Sequence, residues 1–245
     1  MIKALALISG GLDPILAALL IKKQGIRVHG LVFKSCFFSV FSVKKIHLIT
    51  KDISQKHLKI VKNPPHGYGK RANPCIDCHL LMFKEAKKIM LEKSYNFIIS
   101  GEVLGQRPFS QNKNSLALIE KKAGLKGLIL RPLSAKLLPI TIPEQKGWVK
   151  REKLLDISGR SRKTQLKLAK KFKIKNYSAP GTSCILTDPQ FSKRLFKLLK
   201  INPKCTINDI NLLKLGRHFW HPERSVLKGR TFISLIAIGR NQYCR

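Results

Sequence analysis

The chain has 245 residues, 44% of them apolar, which is enough for one large domain or for a domain with a small appendage. Six cysteines are too few for a disulfide scaffold, and no apolar run reaches the length of a membrane-spanning helix. The 48 Lys and Arg against 13 Asp and Glu give a formal charge of +35, which favours nucleic acid as partner before an anionic membrane. We therefore expect a cytoplasmic protein with reactive or metal-bound thiols and no membrane partner. The alternative explanation of the positive charge is a lysine-rich composition that serves no partner.

The chain begins with the pattern of a doubly wound α/β domain. Residues 2–8 form an apolar run typical of a buried parallel strand, residues 14–24 predict a helix ending at Gly25, and residues 27–33 predict a second strand. This order predicts a mostly parallel sheet with ligands at the carboxyl ends of its strands. The stretch 34–50 has strand-like apolar content but no clean period.

The alternation continues through the middle of the chain. We expect a loop, a helix, a strand, a helix and a strand, in that order, over residues 66–74, 75–95, 96–100, 110–123 and 127–133. Two prolines in 134–148 predict an extended segment, and a very basic helix is expected over 157–172 with Ser161 as its N-cap.

The last part of the chain is basic and is predicted to form only short elements. A turn is expected at 179–184, two short helices at 188–200 and 206–215, and strand and loop from Gly216 onward. We place a domain boundary near residue 185. Residues 1–185 are then the main domain, and 186–245 a small α+β region that is expected to contact RNA.

A glycine turn, Ser9-Gly10-Gly11-Leu12-Asp13, joins the first strand to the first helix. Glycines let an anion approach backbone N–H groups at a helix N-terminus, the Ser9 hydroxyl adds a donor, and Asp13 can hold a metal ion or a loop amide. The spacing matches neither a Walker loop nor a dinucleotide fingerprint. From spacing alone, a phosphate site and a plain turn with Asp13 as N-cap are equal alternatives.

Cys75 and Cys78 form a CxxC motif at the start of a predicted helix. Helix N–H groups lower a thiol pKa, so the pair suits a redox couple, a persulfide carrier or two ligands of a metal. Two thiolates are too few for structural zinc or a cubane cluster, so a third ligand must come from elsewhere. Cys184 is the first candidate, Cys36 the second, and His79 a candidate fourth ligand.

Two further turns follow predicted strands and are expected at the same edge of the sheet. In SGEVLGQRP, Glu102 could bind a metal, while Gln106 and Arg107 could bind a nucleotide or phosphate. Arg131 follows the strand at 127–133. A structural turn is the alternative for each.

A basic cluster at Gly159–Lys163 precedes the predicted helix at 157–172. Clustered Arg and Lys at a helix N-terminus suit a phosphate backbone. A solvated basic face is the alternative.

Taken together, these motifs resemble a known family. SGGLD resembles the SGGxDS loop of the PP-loop (adenine-nucleotide alpha-hydrolase) ATP pyrophosphatases, whose fold is of the HUP type. NPCIDCH, SGEVLGQRPFSQN, LILRPLSAKLLP, ISGRSRK and CILTDPQFSKRL resemble a bacterial subgroup of tRNA thiouridylases related to the tRNA 4-thiouridine synthases. The resemblance covers about residues 1–33 and 60–240. The chain departs from it at Pro14, where the family carries Ser, and in the shortened stretch 34–60.

The resemblance implies an ATP-dependent tRNA sulfurtransferase that uses Mg²⁺ on the phosphates of ATP. A uridine oxygen attacks the α-phosphate, pyrophosphate leaves, and sulfur then displaces AMP. The residues implied in ATP binding are Ser9, Gly10, Gly11, Leu12, Asp13, Ser100, Gly101, Gln106 and Arg107.

The same resemblance assigns the sulfur chemistry to Cys75, Cys78 and Cys184, with Asp13 as a further catalytic residue. In related enzymes such a cysteine set either holds a [4Fe–4S] cluster or relays a persulfide. The residues expected to bind RNA are Arg131, Arg160, Arg162 and Lys163.

The partners implied are tRNA and a sulfur donor such as a cysteine desulfurase or sulfide, and a homodimer is left open. A second hypothesis is a degenerate PP-loop protein that only binds RNA, which Pro14, the stretch 34–60 and the lysine excess would fit. A third is another PP-loop ligase, such as an amidotransferase partner, against which the cysteine set argues.

Overall fold

The structure, a computed structural model, describes residues 1–38, 46–178 and 184–215 and the short strands 217–219 and 235–237. The described residues form a five-stranded parallel sheet in the order β3-β2-β1-β4-β5. Its strands are β1 (Lys3–Leu7), β2 (Arg27–Lys34), β3 (His47–Asp52), β4 (Phe97–Ile99) and β5 (Ile129–Leu130). The predicted α/β class with a parallel sheet is confirmed.

Helices connect these strands and continue beyond them. In the described part of the chain they are α1 (Leu12–Lys22), α2 (Ser54–Lys62), α3 (Cys75–Glu92), α4 (Lys113–Ala123), α5 (Ile142–Gln145), α6 (Lys163–Lys171), α7 (Pro189–Ile201) and α8 (Ile207–Leu212). Short 3₁₀ turns occur at Ala135–Leu137, Arg151–Lys153 and Ile185–Thr187, and β6 (Arg217–Phe219) pairs antiparallel with β7 (Leu235–Ala237). None of the described helices has the length and apolar character needed to cross a membrane.

The sheet is covered on both faces because successive residues of a strand point to opposite sides. Ala4 and Ala6 of β1 belong to the core that includes α1 and α6, whereas Leu5 belongs to the core that includes α3 and α4. A third cluster of buried residues joins α2 to α7 and α8, through side chains such as Leu58 and Phe191. The domain boundary near residue 185 stays a prediction.

The segment 134–148 is not extended, so that expectation is wrong. It contains a 3₁₀ turn and α5, whose N-terminus is closed by a capping box between Thr141 and Glu144. Pro143 lies in the first turn of α5, where a missing N–H removes no helical hydrogen bond. Pro143 thus helps to start a helix instead of preventing one.

Two helix starts also differ from expectation. α1 begins at Leu12 with Gly11 as N-cap, so Asp13 lies inside the first turn and is not the cap. α6 begins at Lys163 with Arg162 as N-cap, so Ser161 is not the cap. The segment before α6 is held along the turn after β4, because the Gly159 N–H donates to the Leu104 carbonyl at 2.7 Å, and the helix starts only after this contact.

The other predicted elements are largely confirmed, and the misses are confined to short stretches. β3 and α2 lie in or directly after the stretch 34–50, where the sequence has no clean period. Most of the expected turn at 179–184 and of the segment from Gly216 lies outside the described residues.

The residue after β5 is a buried cation. Arg131 is 4% exposed; its Nε donates to Glu102 Oε2 at 2.8 Å, and its Nη1 donates to Glu120. The other oxygen of Glu102 accepts from His79 Nδ1 at 2.7 Å, and Ser100 Oγ donates to Oε2. The expected RNA contact of Arg131 is therefore wrong, because its guanidinium lies between two carboxylates inside the protein.

Replacing Arg131 by Met should lower the free energy of unfolding by about 3–5 kcal/mol, because Glu102 and Glu120 lose their buried cation. Chemical denaturation measures the change. Arg160→Met is the matched control, since Arg160 is exposed and its loss should cost less than about 0.5 kcal/mol. Equal stability of the two variants would contradict a structural role for Arg131.

The carboxyl of Glu102 should make stability depend on pH. Burial raises its pKa, but the charge of Arg131 and the hydrogen bond from His79 lower it by more. The net effect is a pKa lowered from 4.5 to about 2. Since the folded pKa lies below the unfolded one, this contribution is present above about pH 4.5 and is lost as the pH falls towards 2. In urea unfolding at stepped pH, Glu102→Gln should flatten this acid limb, and an unchanged slope would refute the assignment.

Candidate active site

A cavity of about 260 Å³ opens where the central strands end. It lies at the carboxyl ends of β1, β2 and β4, the edge where a parallel α/β sheet offers loops and helix N-termini to a ligand. Its walls come from the loop after β1, the start of α3, the turn after β4, and three residues from later in the chain, which are Arg162, Ser178 and Cys184.

The loop between β1 and α1 has the shape of an anion site. Gly10 has φ 79°, in the left-handed region that favours glycine, and Gly11 caps α1 so that free N–H groups of the first turn face the loop. Pro14 is the third residue of α1, where its missing N–H breaks no helical bond. The loop therefore keeps its form despite the proline.

Asp13 has one oxygen engaged and one without a partner. Oδ2 accepts from Gln106 Nε2 at 3.1 Å, whereas Oδ1 is buried and, among the described residues, has no hydrogen-bond partner. Arg162 Nη2 is 4.0 Å from Oδ1, too far for a hydrogen bond. Burial raises the pKa of Asp13, against the lowering influence of Gln106, Arg162 and Arg107. An unpaired carboxylate oxygen in a cavity is available to a ligand or to a cation bound to it.

The turn after β4 is in backbone contact with this loop. A Cβ added to Gly101 would lie 2.3 Å from the nitrogen of Pro14 and 2.4 Å from its Cα, so only glycine fits there. The neighbouring Ser100 lines the same cavity and donates to Glu102. The two segments are thus fixed against each other, and the buried cluster around Arg131 holds the turn from behind.

The three cysteines of interest meet in this cavity. Cys75 and Cys78 lie in the first turn of α3, and Cys184 joins them from more than a hundred residues later in the chain. The Asn73 side-chain amide donates to Cys184 Sγ at 3.5 Å. Cys36, the second candidate, is buried in the cluster around α2 and α7 and does not line the cavity.

Burial decides the ionisation of these thiols. It raises the pKa of Cys75, raises that of Cys184 to about 11, and raises that of Cys78 well above its usual value, with Cys184 and Cys75 adding to the effect at Cys78. The expectation of thiol pKa values lowered by the helix N-terminus is therefore wrong. The loss of hydration in the cavity outweighs the N–H groups at the start of α3.

Three thiols are the donor composition of an iron–sulfur cluster with one open position. Within the described residues, however, no three His, Cys, Asp or Glu side chains are arranged to hold a metal ion. His79, the candidate fourth ligand, is hydrogen-bonded to Glu102. The [4Fe–4S] cluster expected on these cysteines stays a prediction, and the three cysteines are treated below as thiols.

Most residues predicted from the sequence as nucleotide ligands line the cavity; they are Ser9, Gly11, Leu12, Asp13, Ser100, Gly101, Gln106 and Arg107. Gly10 does not line it but shapes the loop. Arg160 and Lys163 are exposed beside α6, where a contact with RNA stays a prediction.

Sequence reasoning missed Asn73 and Ser178 as cavity residues. Asn73 could have been found, since it directly precedes the Pro-Cys of the CxxC motif. The Ser178 N–H donates to the Gly10 carbonyl at 2.9 Å, a contact between residues far apart that no local pattern announces.

A family model described as Thiamine biosynthesis protein (ThiI) matches residues 2–136. A tRNA sulfurtransferase of Desulfurococcus amylolyticus is 32% identical in an alignment of 146 residues that covers 54% of this chain and 29% of that protein. A solved structure described as a 4-thiouridine synthetase–RNA complex with bound ATP is 22% identical and superimposes with a TM-score of 0.51, covering 86% of this chain and 52% of that one.

The chain thus spans less than a third of the length of that curated relative and about half of that solved chain. The structural likeness supports a PP-loop-type fold, in agreement with the loop after β1 and the strand order. The family model covers more than half of the chain and includes both the loop and the CxxC motif. The chain belongs to the ThiI family.

Proposed function

We propose that this chain is an ATP-dependent tRNA sulfurtransferase that activates a uridine by adenylation. The observation that carries the proposal is that the Ser9–Asp13 loop and the thiols of Cys75, Cys78 and Cys184 line one cavity. Membership of the ThiI family supports it, as do a relative named tRNA sulfurtransferase and a similar fold solved with RNA and ATP.

The loop side of the cavity is suited to MgATP. The N-terminus of α1 and the Ser9 hydroxyl offer donors to phosphate, and Arg107, which also lines the cavity, adds a positive charge. The unpaired Oδ1 of Asp13 is the oxygen that a phosphate-bound Mg²⁺ or its water would meet. The backbone contact of Gly101 keeps this loop in place.

The thiol side of the cavity is suited to deliver sulfur. The uridine carbonyl oxygen attacks the α-phosphorus of ATP, and pyrophosphate leaves. A donor persulfide R–S–SH passes its outer sulfur to a cavity thiol, which yields Cys–S–SH and R–SH. The outer sulfur of this Cys–S–SH attacks the carbonyl carbon of the adenylated uridine, and AMP leaves with the oxygen. A second cavity thiol then attacks the inner sulfur, which releases the thiocarbonyl and leaves a Cys–S–S–Cys disulfide that an external dithiol reductant reopens. Cys75, Cys78 and Cys184 are the thiols in reach of the cavity.

The partners belong to the same proposal. The formal charge of +35 and the exposed Arg160 and Lys163 fit a tRNA substrate, with residues 186–245 as a further RNA-contacting region. A cysteine desulfurase or sulfide as sulfur donor, a cytoplasmic location and a homodimer follow as expectations. Nucleoside mass spectrometry of tRNA from cells with and without the protein tests the activity and identifies the product.

Cys78→Ala and Cys184→Ala should each reduce the thiolated nucleoside in tRNA to the level found in cells without the protein, because each removes a thiol of the cavity. Nucleoside mass spectrometry of complemented cells gives the readout. Cys205→Ala is the matched control, since Cys205 is also a buried free cysteine but lies outside the cavity. Unchanged thiolation in both cavity variants would refute the assignment.

The second hypothesis, a protein that only binds RNA, is based on Pro14 in place of the family's serine, on the shortened stretch 34–60 and on the lysine excess. It predicts no turnover of nucleotide. Release of AMP and pyrophosphate from ATP that depends on added tRNA would exclude it.

Pro14→Ser should tighten ATP binding about tenfold or more, because the substitution restores one N–H and one hydroxyl at the start of α1, each worth about 1.5–3 kcal/mol to a charged ligand. Isothermal titration calorimetry with ATP measures the effect. Unchanged affinity would show that the missing serine is irrelevant to binding.

A further inference from the structure

We propose that a second and larger cavity of this chain binds the single-stranded RNA segment that carries the target uridine, and that the uridine reaches the candidate active site past Phe38 and Cys184. The inference rests on the proposed function, because it names the place where the tRNA substrate lies. It goes beyond the RNA contacts expected at α6 and in residues 186–245, since it identifies a cavity, its individual residues and the path of the base.

The second cavity, called the large cavity below, has a volume of about 1330 Å³. Its walls come from the ends of β2 and β3, the start of α2, and the segment that runs from Cys184 to the end of α8. It therefore lies at the same edge of the sheet as the first cavity, and Phe38 and Cys184 line both. Pockets for small ligands measure about 300–1,000 Å³, so the large cavity fits a segment of a polymer better than a second small molecule.

The charged side chains of the large cavity favour an anionic polymer. Among the described residues that line it, four are Lys or Arg and two are Asp. Both carboxylates already accept a hydrogen bond at a helix start, Asp52 from the Ser54 N–H at 2.8 Å and Asp188 from the Phe191 N–H at 2.7 Å. Lys34 is 3.9 Å from Asp52 and both side chains are more than half exposed, so this ion pair is weak. The excess of positive charge is thus open to a ligand.

Two of the cations belong to the C-terminal helices. Arg194 on α7 is half-buried, and its Nε is buried without a hydrogen-bond partner in the part of the chain that the structure describes. Lys214, just after α8, donates to Asn211 Oδ1 at 2.8 Å, which leaves two of its three N–H bonds for other acceptors. A phosphate backbone offers such acceptors at every nucleotide, and a guanidinium binds phosphate through two parallel bonds.

The wall that the two cavities share is suited to a nucleobase. Phe38 is partly exposed there, and aromatic side chains stack on the bases of single-stranded nucleic acid. The Ile185 N–H donates to the Phe37 carbonyl at 3.2 Å and so joins the chain next to Cys184 to the chain next to Phe38. An enzyme that modifies a base must take it out of the stack. A base turned out of a strand in the large cavity would pass this wall to meet both the phosphate loop and the thiols.

A sulfur-donor protein is the other occupant that this position would suit, since Cys184 lines both cavities. The charge of the large cavity favours RNA, because every nucleotide carries a negative charge and the cations outnumber the carboxylates.

The test compares the full wild-type chain with two double variants that lose the same charge. Lys70→Met/Lys214→Met removes two exposed cations of the large cavity. Lys93→Met/Lys126→Met removes two exposed lysines that precede β4 and β5, at the opposite edge of the sheet. Fluorescence anisotropy measures the binding of an unmodified tRNA transcript at several KCl concentrations, calorimetry measures ATP binding, and thermal unfolding confirms that each variant is folded.

The large-cavity variant should bind tRNA roughly tenfold more weakly than wild type. Its slope of log K against log[KCl] should be less steep by about 1.4–1.8, since each of two lost phosphate contacts contributes about 0.7–0.9. Arg194→Met should reduce the slope by about 0.7–0.9. The control variant should stay within about threefold of wild type, because exposed charges beyond a Debye length are screened. All variants should bind ATP like wild type.

Three results would overturn the inference. Equal tRNA affinity and salt slope in the two double variants would place the RNA elsewhere and leave the proposed function standing. The same equality, together with slower sulfur uptake by the large-cavity variant from a cysteine desulfurase supplied with cysteine, would make the cavity the site of the sulfur donor. A wild-type chain that binds ATP but no tRNA would refute the inference and the proposed function together.

Discussion

The buried guanidinium of Arg131 is the constraint on which the site depends. It follows β5, and its two carboxylate partners come from the turn after β4 and from α4. One partner, Glu102, extends the network to His79 on α3, the helix that carries the CxxC motif. A buried charge that loses one of its partners is strongly destabilising, so the partners must stay in place. The cluster therefore fixes the positions of two strand ends and two helices, and the turn with Gly101 is held against the loop at Pro14.

The cavity in front of this network combines two environments. On the loop side, helix N–H groups, Asp13 and Arg162 leave polar atoms unpaired, as a site prepared for a charged ligand would. On the thiol side, burial raises the pKa values of Cys78 and Cys184 and so favours the neutral thiol form. Activation of these sulfurs must therefore accompany the binding or reaction of other groups. This agrees with the proposed chemistry, in which the uridine carbonyl is adenylated before sulfur attacks.

The sequence predicted the elements whose local pattern is strong. β1, α1 and β2 combine an apolar strand with a glycine turn, and α3 has a regular apolar face after its CxxC motif. It failed where local preference and packing disagree. α2 is mostly polar and becomes a helix by burying a few residues such as Leu58 and Val61 against α7 and α8. Pro143 predicts an extended chain by its residue type but lies in the first turn of α5.

Local sequence was sufficient for the fold class, for the glycine turn at Ser9–Asp13 and for the CxxC motif at a helix start, because these are short-range features. From spacing alone, however, a phosphate site and a plain turn were equal alternatives, and only the fold brings Cys184 into the same cavity as Cys75 and Cys78. The tertiary structure alone decided which charges are buried. Of the basic residues expected at RNA, Arg131 became an internal ion-pair partner, Arg162 entered the cavity, and the remaining two stayed on the surface. Composition gives every arginine the same charge, whereas its role follows from its distance to carboxylates, ligand and water, and these distances exist only once strands and helices have packed.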